Sequence, residues 1–193
     1  MKKKIISLCL VVALGATAVI GGTLAYFTDD ATKTNTFTVG NVEIELTEPK
    51  WDETGSKEAV DAYPGEALAK DPTVTNVGAN PCFVRVTVSN LDQFGDAGMI
   101  TYRTDYVEDA LGTNWVKGDD GYFYYTKVLA IKETTDALFD QIVIPFGVEN
   151  SAVTKDIVVT AQAVQAQGAK ASFSAVEAMT LAEIQAWFTT CGF

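Results

Sequence analysis

Cys82-Phe83-Val84-Arg85-Val86-Thr87-Val88 decides the fold of this chain. In an extended strand successive side chains face opposite ways. Cys82, Val84, Val86 and Val88 then share an apolar face, with Phe83, Arg85 and Thr87 on the other. Upstream, Gly78 and Asn80-Pro81 separate this run from a short strand over Thr73–Val77. Further back, Val42, Ile44 and Leu46 alternate with Glu43, Glu45 and Thr47, the period of two expected of a half-buried strand. Pro49 ends that run, and the polar stretch 50–62 reads as a loop or edge excursion. Pro64-Gly65 fits a type II turn, because proline sets φ at its first central position and glycine supplies positive φ at the second.

Downstream, a short strand is expected around Met99–Arg103. Gly118-Asp119-Asp120-Gly121 marks a turn between Trp115–Lys117 and Tyr122–Leu129, a hairpin. Phe139–Ile144 and Lys155–Gln165 are two more strands, the second weakened at its end by Ala and Gln. Thr180-Leu181-Ala182-Glu183 has capping-box spacing, and Leu181, Ile184, Trp187 and Phe188 recur at helical intervals. A helix over 175–189 should lay its apolar face on the sheet. Short strands divided by Gly and Pro turns, without alternating helices, predict an all-β antiparallel sandwich.

Composition narrows the chemistry. The chain has 193 residues, 48% of them apolar, with 14 Lys and Arg against 25 Asp and Glu. Met1–Lys4 is basic, Ile5–Ile20 is almost wholly apolar and uncharged, and Thr23 and Ala25 put small residues before a cleavable bond, the layout of a secretory signal peptide. Its removal takes Lys2, Lys3 and Lys4, so 11 cations face 25 acids, a balance of −14. Such a surface repels nucleic acid and anionic lipid. The membrane is then touched only through the signal peptide. Histidine is absent, which removes Ser-His-Asp and Cys-His nucleophiles and histidine-bound zinc or iron.

Gly21-Gly22-Thr23-Leu24-Ala25-Tyr26-Phe27-Thr28-Asp29, followed by Asn35-Thr36-Phe37-Thr38-Val39-Gly40-Asn41-Val42, resembles the signature of proteins cut by the SipW-type signal peptidase. The chain is thereby similar to the TasA/camelysin family. The resemblance implies cleavage just before Phe27, whereas the small-residue rule prefers the bond after Ala25; the mature start is Tyr26 or Phe27. It implies a jelly-roll sandwich with short helical additions, residues 26–193 forming one domain after a 1–25 signal peptide. Its weaker extension covers Pro64-Gly65-Glu66, Thr73–Gly78, Val84-Arg85-Val86 and Asp120–Thr126. It further implies an extracellular fibre in a Gram-positive biofilm matrix. Residues 26–40 would act there as a donor strand, with Phe27, Thr36, Phe37 and Val39 completing a neighbouring copy. The partners are then the chain itself, the peptidase and other matrix components.

The remaining constellations are open or bland. Cys82 and Cys191 can pair outside the cell or pack as separate thiols. Trp115, Tyr122 and Tyr124 either form an exposed patch for a glycan or protein, the basis of a binding-module reading, or lie covered on both faces. Asp29-Asp30, Glu108-Asp109 and Asp119-Asp120 lack calcium-loop spacing and read as solvated turns. No metal, cofactor or catalytic residue is assigned. Camelysin-like proteins are often described as metalloproteases, and the missing histidine argues against that activity here.

Overall fold

The computed structural model describes residues 41–94, 98–148, 156–170, 176 and 178–193. Its strands are β1 (Ile44–Thr47), β2 (Ala67–Ala69), β3 (Thr73–Asn76), β4 (Cys82–Val88) and β5 (Thr101–Thr104). They continue with β6 (Val107–Glu108), β7 (Trp115–Lys117), β8 (Phe123–Tyr125), β9 (Gln141–Val143) and β10 (Val159–Gln165). One sheet runs β10-β4-β8-β7, a second β2-β9-β5-β6, and β1 pairs with β3. All these pairings are antiparallel. The chain is the all-β sandwich that the alternation around Val84 predicts, and Gly40–Phe193 form one compact unit.

Both faces of β4 are used. Cys82, Val84 and Val86 enter a core that they share with Trp115, Phe123 and Tyr125 of their own sheet and Leu68, Tyr102 and Ile142 of the other. Phe83 faces the opposite way, into a smaller core with Tyr124, Val164, Ile184 and Phe188. The C-terminal helix (Leu181–Thr190) therefore lies on the outer face of the β4 sheet as a third layer. Burying each such side chain is worth about 1.5–3 kcal/mol, so both layers contribute to holding β4.

The turns follow their sequence chemistry. The Glu66 amide donates to the Tyr63 carbonyl at 3.0 Å, and Gly65 has φ +87°, as the type II turn at Pro64-Gly65 requires. In the β7–β8 hairpin the Gly118 amide donates to the Tyr122 carbonyl at 2.7 Å, and Trp115 lies opposite Tyr125. At the helix start the Glu183 amide donates to Thr180 Oγ1 and the Thr180 amide to the Glu183 carboxylate at 2.9 Å, a full capping box. The helix begins at Leu181 rather than 175, because Thr180 is its N-cap.

One expectation fails. The stretch 50–62 is not a loop but a helical excursion, Trp51–Gly55, Ser56–Glu58 and Ala59–Asp61. Asp71 makes it possible, being buried where its Oδ1 accepts from the Lys50 amide at 2.8 Å and the Trp51 amide at 3.4 Å. A Cβ on Gly55 would lie 2.0 Å from the Ala69 carbonyl oxygen, so only glycine lets this segment rest on β2.

Candidate functional site

The sheet edges are where this fold can act. β10 pairs with β4 on one side, in a register running from Val159 opposite Val88 to Gln165 opposite Cys82. The Ser89 amide donates to the Val158 carbonyl and the Ala166 amide to the Pro81 carbonyl, each at 2.9 Å. Even-numbered residues of β10 thus turn their backbone groups to β4. Val159, Ala161 and Ala163 turn theirs to the open side, where no hydrogen bond reaches them among the described residues. Their side chains pack against the inter-sheet core and remain only half-buried. β1 lies near this edge but makes its ladder with β3. An edge left unpaired by the described residues, over an incompletely covered core, is a template for one more strand.

Beside this edge lies a cleft of about 490 Å³. It is lined by Trp51, Ala59 and Ala62 of the excursion, Leu68 of β2, Ile142 of β9 and Ile157. Lys70, only 3% exposed, donates to Glu48 Oε2 at 2.8 Å and sits 4.5 Å from the Trp51 ring centroid. The other carboxylate oxygen, Glu48 Oε1, is buried with no hydrogen-bond partner among the described residues. Sequence reading missed this arrangement. The spacing of Trp51, Gly55, Ala59 and Ala62, close to 3.6 residues per turn, was the signal for it.

The aromatic residues do not form the exposed patch. Trp115 is 4% and Tyr124 0% exposed, and they belong to different cores. The reason is the third layer: the strand face that would have looked outward is covered by the helix. Tyr122, partly buried, lies under the Arg85 guanidinium, whose central carbon is 3.7 Å from its ring centroid and 4.6 Å from that of Phe188. Arg85 also donates to Gln162 Oε1 at 2.8 Å and to the Tyr124 hydroxyl at 3.3 Å, which itself donates to Asp120 at 2.7 Å.

Nor do the cysteines pair. Both are free thiols. Cys82 points between the sheets, while Cys191 is exposed at the end of a helix lying on the other side of β4. Burial pushes the Cys82 thiol up to about 12, and burial with Asp136 pushes the Tyr125 hydroxyl to about 12. Raised groups favour the folded state while protonated, so their contribution is full below about pH 9 and is lost as pH rises towards 12. Of Cys82 and Cys191, only Cys191 should therefore alkylate in native protein, and Cys82 should react only in denaturant or with alkaline unfolding. Cys82→Ala should flatten the fall in stability across pH 9–12. Rapid native labelling of both thiols would contradict this placement.

The cleavage residues Thr23, Ala25, Tyr26 and Phe27, and the donor residues Thr36, Phe37 and Val39, lie outside the described residues. Among the described residues no helix is long and apolar enough to cross a membrane.

A family model described as camelysin metallo-endopeptidase matches residues 1–91. No curated protein and no solved structure matches the chain. The residues present do not fit the metal in that description. Histidine is absent from the whole sequence, and no group of three or more Cys, Asp or Glu among the described residues is placed to hold an ion. The match does cover the N-terminal pattern around Gly21–Asp29 and Asn35–Val42, and over residues 1–91 the chain is similar to the camelysin family.

Proposed function

We propose that this chain is a secreted, non-catalytic fibre subunit of a bacterial extracellular matrix that polymerises by strand donation. The observation that carries the reading is the open edge of β10. Among the described residues the backbone groups of Val159, Ala161 and Ala163 have no partner on that side, and their side chains are half-buried. Cleavage by a SipW-type peptidase would release the segment that starts at Tyr26 or Phe27. Addition of that segment to β10 of the next copy would satisfy the free groups, with Phe37 or Val39 covering the core. Head-to-tail addition does not close on itself and gives a filament. The binding-module reading loses its aromatic patch, since Trp115 and Tyr124 are buried. Electron microscopy of purified protein beginning at Phe27 should show filaments. Deleting 27–37 should leave a folded monomer that forms none. Normal fibres from the deletion, or a monomeric parent at high concentration across salt and pH, would sink the proposal.

A further inference from the structure

We propose that the cleft beside Trp51 is a binding site for a small amphipathic amine, an apolar body with one cationic N–H head. At about 490 Å³ it falls within the usual size of small-ligand pockets, roughly 300–1,000 Å³. Its walls and floor are mainly apolar: Trp51, Leu68, Ile142 and Ile157. The charges are unbalanced. Lys70 is committed to Glu48 Oε2, and Asp156 adds a second carboxylate at the exposed rim. One cation therefore faces two acids. Glu48 Oε1 is buried and has no hydrogen-bond partner among the described residues, so the carboxylate that lines the cleft carries unmet acceptor capacity. Lys70 holds that carboxylate in place and is itself fixed over the Trp51 ring. An alcohol of the same shape could donate to Glu48 Oε1 but would leave the extra negative charge unmatched. A carboxylate would bring a third acid into the cleft and meet repulsion. The inference stands independently of strand donation, because it uses only residues of one copy.

The test titrates phenethylammonium into the purified protein and follows the Trp51 indole N–H by NMR. Phenethyl alcohol and hydrocinnamate serve as neutral and anionic probes of similar body. The amine should bind saturably and about tenfold or more tighter than the alcohol, with hydrocinnamate weaker still. E48Q keeps an oxygen acceptor for Lys70 but removes the charge. It should cost the amine about tenfold and leave the alcohol unchanged. A62F should block all three probes by filling the cleft, without touching the Glu48–Lys70 pair. Equal binding of amine, alcohol and acid, no saturable shift with the amine, or full affinity retained in E48Q or A62F would overturn the proposal.

Discussion

Replacing Ala161 by proline is expected to stop filament growth while leaving the sandwich folded. The backbone of Ala161 faces away from β4, so the substitution removes no hydrogen bond of the existing ladder. Proline is tolerated on an edge strand for that reason. It does remove the central donor of the open edge and puts a ring in the path of an added strand. Light scattering of the mature variant should show elongation slowed by about tenfold or more, while circular dichroism and melting stay close to the parent. A proline at Thr160, whose backbone faces β4, is the contrasting control and should destabilise the fold itself. Filaments of normal rate and appearance from Ala161→Pro would move the acceptor edge elsewhere on the molecule.

The second large effect is on stability. Arg85 is 5% exposed, stacked between Tyr122 and Phe188, and makes no ion pair with a carboxylate among the described residues. Its charge is held by ring faces and by the Gln162 and Tyr124 oxygens. Arg85→Ala removes the stacking and leaves the helix resting on a void. The expected loss is about 3 kcal/mol, or roughly 10 °C in Tm for a domain of about 150 residues. Lysine keeps the charge but cannot stack as a plane, so Arg85→Lys should recover only part of it. Arg85→Met restores volume without charge. If methionine matches arginine in a thermal melt, packing rather than the cation holds this layer.

The alternation in β4 gave one face to Phe83, Arg85 and Thr87, and the helical spacing of Leu181, Ile184, Trp187 and Phe188 gave a helix packed on part of the sheet. What neither could show is that Tyr124 would fall beneath the same helix, because contact between residues 124 and 188 depends on how the layers register. Trp115 and Tyr124 therefore looked as ready for a ligand as for a core. The Lys50–Ala62 stretch was misread for another reason. Its polar composition is that of a loop, and its helix is nucleated by Asp71, which precedes a proline and is distant in sequence. A buried cap supplied by another segment leaves no mark in the local pattern. The open edge of β10 was equally hidden, since Ala161 and Ala163 read only as weak strand formers. Their small size is consistent with a core left partly uncovered on that side.

The position of β4 also sets an order of events. Its neighbours arrive late: Arg85 meets Tyr124 after 39 residues and Gln162 after 77. Such non-local pairings slow folding, towards milliseconds to seconds for sandwiches. Until residue 165 has emerged, β4 has no partner on its β10 side, and Phe83 lacks its helix cover until Phe188 has followed. A chain threaded through an export channel from its N-terminus would thus cross in an unfolded state and close its central sheet only near the end of its passage. The seven residues from Cys82 to Val88, apolar at five positions, would stay exposed to aggregation in that interval.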